Sequence, residues 1–145
     1  MSHTRARNPH EEIRMATSEN KEIVKGLFAT FGRGEILALR VLLAEDVIWD
    51  LQVAVPHNSG TYEGSSRVES FFENLYANVA VDAFEAREFG VEANRILAIG
   101  WSRGRLKSTG RMFENHWVMS FIVSDGKIAN FGEYADTRVQ RLPTT

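Results

Sequence analysis

The chain has 145 residues, 43% of them hydrophobic and 25% charged, with a formal net charge of −2. That length suits one domain with a real core, and the near-neutral balance lacks the basic footprint of a nucleic-acid or anionic-membrane binder. Cysteine is absent, which removes disulfides, thiolate catalysis and cysteine metal sites. No apolar run has transmembrane length and the N-terminus lacks a signal-peptide core, so a cytoplasmic protein is expected.

In chain order, residues 1–17 are polar and aperiodic and read as a flexible tail carrying His3 and His10. Residues 18–145 read as a single domain. Ile23, Val24, Leu27, Phe28 and Phe31 form one apolar stripe, which predicts a helix over Glu19–Phe31 closed by Gly32 and Gly34. A second helix is predicted over Glu35–Ala44 and a strand over Val47–Val53. The loop from Pro56 to Gly64 is rich in turn residues, and the Ser66/Glu69 spacing marks the start of a third helix. From there the periodicity changes to strands at 82–91, 95–107, 111–123 and 127–134. Asp125-Gly126 between alternating apolar runs is a strong hairpin signal. The sum is an α+β domain with a mostly antiparallel sheet.

Two segments set an acid inside an apolar strand pattern: Val47-Ile48-Trp49-Asp50-Leu51 and Phe131-Gly132-Glu133-Tyr134-Ala135-Asp136. A carboxylate buried there is costly to ionise, its pKa rises, and it becomes a candidate for proton transfer.

The element order, with Gly60-Thr61-Tyr62-Glu63-Gly64 before helix three and Asp125-Gly126-Lys127-Ile128 before Glu133-Tyr134-Ala135-Asp136, resembles the nuclear transport factor 2-like superfamily. Within it, the chain is most similar to SnoaL-like and ketosteroid-isomerase-related proteins. The resemblance implies a cone: three N-terminal helices on a strongly curved sheet that encloses a pocket. It puts Asp50 at the place of the steroid isomerases' catalytic base. Leu27 and Val118 stand where those enzymes carry their oxyanion donors, so that donor pair is lost. Glu133 falls where epoxide-hydrolase-like and cyclase members keep an acid. Gly100-Trp101-Ser102 falls where the hydrolases' Arg-x-Asp pair would lie, so that triad is incomplete too.

The expected site therefore has Asp50, Glu133 and His116 as catalytic groups, with His116 offering an N–H donor near the lost isomerase donor. Trp101, Val118, Phe131, Leu27, His57 and Tyr62 are expected to line or overhang the ligand space. Asp50, His57, His116 and Glu133 show no metal-ligand spacing, and no glycine-rich phosphate loop is present, so neither metal nor cofactor is expected. The implied activity is isomerase- or cyclase-type acid–base chemistry on a small apolar carbonyl compound of polyketide, terpenoid or steroid kind. The alternative is a ligand-binding or regulatory module without catalysis.

Strand 111–123 is apolar on both faces. One face carries Met112, Glu114, His116, Val118, Ser120 and Ile122, and the resemblance assigns it to the pocket. The other, with Phe113, Asn115, Trp117, Met119, Phe121 and Val123, would then lie outside and need a twofold partner, which predicts a homodimer through the outer sheet face. If instead the register is shifted by one, the greasier face lines the pocket and His116 leaves it.

Overall fold

The computed structural model describes residues 8–51 and 60–135. Their order is α1 (Pro9–Arg33), α2 (Ile36–Val41), β1 (Leu43–Leu51), β2 (Gly60–Glu63), α3 (Ser65–Asn78), β3 (Val79–Glu92), β4 (Arg95–Leu106), β5 (Met112–Ser124) and β6 (Lys127–Ala135). The predicted site residue His57 lies outside the described residues, as does Asp136.

Helix α1 starts at Pro9, not Glu19, so the expected tail boundary falls inside it. The polar stretch has no apolar stripe, but it carries the start signals of a helix. The Asn8 side chain accepts a hydrogen bond from the Glu11 N–H at 2.8 Å, Pro9 opens the first turn, and Glu11 and Glu12 face the positive end of the helix dipole. Gly34 ends the helix in the left-handed conformation, with φ of 69°.

Helix α2 is shorter than predicted because Leu43 already enters β1. The Ser66/Glu69 pair does not cap α3, whose N-cap is Gly64. Both side chains instead grip Arg40 of α2, with Arg40 Nη1 donating to Glu69 at 2.6 Å and Nη2 to Ser66 at 3.1 Å. Tyr76 ties the other end of α3 to α1 by donating to the Phe31 carbonyl at 2.7 Å, and burial raises its hydroxyl to about 12.

The six strands form one sheet in the order β2-β1-β6-β5-β4-β3. Only β1–β6 is parallel; the other neighbours are antiparallel. Bulges in β3 near Val81 and Ala86 add local bend and twist. Strand β2, read as loop from sequence, is a short edge ribbon on β1. The result is a mixed helix-and-sheet fold with a curved, unclosed sheet whose inner face packs on the helices.

Strand β5 resolves the register. Trp117, Phe121 and Val123 are buried, at 1%, 0% and 2% exposure. Met112, Glu114, His116 and Val118 alternate to the outer face. The register is the shifted one: the greasier face lies inside, because it buries far more apolar area than the Met112–Ile122 face. The argument for a dimer built on exposed Phe113, Trp117, Met119 and Phe121 falls with it.

The core is aromatic. Trp49 stacks on Phe131 at 3.8 Å between ring centroids, Trp117 stacks on Phe84 at 5.0 Å, and Phe28 meets Phe121 edge-on at 5.7 Å. Gly100 and Gly104 on β4 leave room for Trp117 and Phe113 to lie across that strand. A Cβ at position 104 would stand 2.7 Å from the Ala80 carbonyl oxygen and 2.8 Å from Phe113 Cζ. Among the described residues no helix is long and apolar enough to cross a membrane.

Candidate functional site

A cavity of about 110 Å³ opens between α1, α3 and the inner face of the sheet. Leu27, Phe28 and Phe31 come from α1, because the stripe that makes that helix amphipathic also faces the sheet. Phe71, Phe72 and Leu75 of α3 close a second side. Trp49, Trp117, Met119 and Phe131 form the sheet wall. The polar residues on the lining are Ser102, Arg103, Asn115 and Glu133. Arg103 is exposed, and its guanidinium sits 5.7 Å from the centre of the Trp101 ring, so it brings no buried positive charge to the acid.

Glu133 owes its position to register. On β6 it pairs with Met119 of β5 on one side and Leu51 of β1 on the other, and all three share the inner face. Its carboxyl has no hydrogen-bond or ion-pair partner among the described residues. Desolvation therefore acts unopposed and lifts the acid from an ordinary 4.5 to about 7. Part of its surface stays accessible, and that part belongs to a group lining the cavity. An acid so placed exchanges a proton close to neutral pH, which is the range a general acid or base needs.

The other expected site residues separate. Leu27 and Phe131 line the cavity as predicted. Tyr62 pairs with Trp49 on the edge ribbon and packs on the cavity residue Phe71, with ring centroids 5.1 Å apart, but it does not itself line the cavity.

Asp50 sits between Trp49 and Leu51, which both point inward, so strand alternation turns it to the opposite face. There it accepts a hydrogen bond from Thr61 at 3.1 Å. His116 and Val118 lie on the outer face for the same reason, opposite Trp101 and Ile99 of β4. Trp101 is also outside: its indole donates to Glu114 at 2.6 Å, and Glu114 in turn stands 3.7 Å from His116. The structure thus brings Glu133, Leu27 and Phe131 together and excludes Asp50, His116, Trp101 and Val118 from the cavity.

Sequence reasoning missed Asn115, Trp49 and Trp117 as lining residues. The signal for Asn115 and Trp117 was present in the greater apolar content of their face. Among the described residues, no group of three or more acidic or histidine side chains is placed to hold a metal.

The sequence pattern of the SnoaL-like domain family matches residues 24–131. Among solved structures, a nuclear transport factor 2-like protein from Burkholderia xenovorans LB400 is 35% identical, with 84% of this chain and 92% of that chain covered and a TM-score of 0.74. A nuclear transport factor 2-like protein from Burkholderia thailandensis E264 is 22% identical, with 83% and 92% covered and a TM-score of 0.73. An M. tuberculosis epoxide hydrolase of the LEH-like kind is 14% identical, with 86% and 87% covered and a TM-score of 0.71, a likeness of fold alone. No curated protein matches the sequence.

Proposed function

The chain belongs to the SnoaL-like domain family, and we propose that this member performs acid–base chemistry on a small apolar carbonyl compound, with Glu133 as the proton-transfer group. The observation that carries the reading is one ionisable carboxyl, raised to about 7, facing an apolar cavity. In its ionised form Glu133 takes a proton from the carbon next to the carbonyl. The C–H pair moves into the C–C bond as the carbonyl π pair moves to oxygen, giving an enolate. Return of the proton to the same carbon is hydrogen exchange, and its return to a conjugated carbon completes an isomerisation; attack by the enolate carbon on a second carbonyl forms the ring bond, and that carbonyl's oxygen takes the proton from Glu133 to complete a cyclisation. Asn115, on the same wall, supplies an amide donor for the ligand oxygen. The step draws on no metal or organic cofactor.

A pH–rate profile tests this. The exchange of α-hydrogens of 1-tetralone in heavy water should be accelerated by the protein, with kcat/KM rising through a pH of about 7 and then levelling, because the free base must be ionised. Binding of the ketone without exchange at any pH favours the module reading instead. The absence of Asp50 and His116 from the cavity supports that second reading, since among the described residues Glu133 is then without a second carboxylate or a histidine on the lining.

We also propose a homodimer, now on different residues. Leu97, Ile99 and Tyr134 are 40%, 44% and 46% exposed, and Val118 stands between Ile99 and Tyr134 in the ladder. Adjacent apolar side chains on one sheet face favour a covered face, and a second copy offers the same patch. Sedimentation at micromolar concentration should give twice 16.4 kDa, and Ile99→Glu should give the single mass. A wild-type monomer rejects the interface.

A further inference from the structure

The aromatic wall of the cavity has a polar break. Trp101 and Arg103 of β4 meet on the outer face of the sheet, and Glu114 and His116 of β5 join them there. Strand alternation therefore turns Ser102 and Asn115, each set between two outward side chains, to the inner face. They stand directly opposite each other in the β4–β5 ladder, and both line the cavity. Opposed residues of an antiparallel pair hold their Cβ atoms about 4.5–5.5 Å apart, so one acceptor atom fits within hydrogen-bond reach of both side chains.

The glycines on either side of Ser102 make that break a notch. The ring of Trp117 lies over Gly100 and the ring of Phe113 over Gly104, close enough that a Cβ at either glycine would overlap them. Phe84, opposite Ser102 on β3, stacks on Trp117. Three rings thus flank one hydroxyl and one amide, both half-buried and neither hydrogen-bonded to any described residue. Resting on the reading that this cavity is the functional site, we infer that Ser102 and Asn115 form a two-donor notch for the carbonyl oxygen of the ligand. The hydroxyl and the amide each donate to one lone pair of that oxygen. Asn115 lies four residues along β5 from Met119, the neighbour of Glu133, or about 13 Å of strand, and the side chains at both ends take up part of that span. The ligand therefore lies along β5, its oxygen at the notch and its exchangeable C–H toward the acid. A hydrocarbon of equal shape leaves the two donors unpaired.

1-Tetralone labelled with carbon-13 at its carbonyl tests the inference directly, because hydrogen bonds to the oxygen move that carbon's signal downfield. The measurement is made at pH 8, where Glu133, with a pKa of about 7, is largely ionised and does not donate. The signal of the ketone bound to wild-type protein should lie well downfield of its position in cyclohexane. Ser102→Ala and Asn115→Leu should each move it back upfield, and the double variant further. Each single change should weaken 1-tetralone binding by about 3- to 10-fold, the worth of one neutral hydrogen bond. Binding of tetralin, the same two rings without oxygen, should be no weaker in either variant. A bound signal at the cyclohexane position overturns the inference even where a variant fails to fold. So do a signal indifferent to both changes, equal weakening of both probes, or no binding of 1-tetralone. Variant-dependent shifts without α-hydrogen exchange uphold the notch and reject the catalytic reading. Exchange with a carbonyl signal indifferent to Ser102 and Asn115 does the reverse.

Discussion

Glu133→Gln is expected to lower catalysed α-hydrogen exchange by about 100- to 10,000-fold, the usual contribution of a positioned general base. The amide matches the carboxyl in shape and cannot take the proton, so the fold should survive and ligand binding should persist. The same variant carries a second signature in stability. The folded-state pKa of Glu133, about 7, lies above the ordinary 4.5. Between those two values the native state holds a proton that the unfolded chain has given up, so stability is greatest below a pH of about 4.5 and falls as pH rises through 7. Each tenfold change in the ratio of protonated to ionised acid is worth about 1.4 kcal/mol, so the loss amounts to about 3 kcal/mol. Glutamine abolishes that slope. Urea midpoints at intervals from pH 4 to 8 should therefore diverge, with Glu133→Gln gaining on the wild type as pH rises. Parallel curves would show that the carboxyl ionises in the fold as easily as in water.

Gly100→Ala is expected to be among the most destabilising small changes in the chain. Gly100 faces Trp117 across the β4–β5 ladder, and a Cβ there would overlap both the six-membered ring of Trp117 and the Glu85 carbonyl oxygen of β3. The ring is held by Phe84 and Phe28 and the carbonyl by the β3–β4 ladder, so neither yields cheaply. Overpacking of this kind costs about 1–3 kcal/mol and more where backbone is displaced; about 3 kcal/mol is expected here. Gly26→Ala on α1 is the matched control. A Cβ there meets nothing within 4 Å, and replacing a helical glycine should stabilise by about 0.5–1 kcal/mol. Denaturant midpoints of the two variants check both signs. A Gly100→Ala protein as stable as wild type would mean that Trp117 does not lie across β4, and the cavity wall would need redrawing.

Much of the frame was legible because local signals and burial agreed. The stripe of α1 puts Val24 and Leu27 in the core, at 0% and 4% exposure, and Asp125-Gly126 turns the β5–β6 hairpin with both residues at positive φ. Glu133 was legible from the apolar residues around it. Asp50 stood in an equally apolar stretch and failed, since strand alternation admits either Trp49 and Leu51 or Asp50 to the cavity, and the larger side chains take it. The same rule moved His116. The resemblance assigned one face of strand 111–123 to the pocket, and the bulk of Trp117, Met119 and Phe121 assigned the other. A one-residue slip reverses every side chain, so register is where sequence patterns resolve least and burial energy decides most. The helical turns from Pro9 were missed for the opposite reason: their signals lie in the capping residues, and no apolar stripe extends that far.

The titration of Glu133 itself tests the central claim most directly. Side-chain carboxyl carbons of carbon-13-labelled protein report each glutamate, and the Glu133 signal is the one missing from the Glu133→Gln spectrum. A midpoint near pH 7 is the result expected of an acid desolvated in an apolar cavity. A midpoint near 4.5 would place the carboxyl in water and contradict the proton-transfer role.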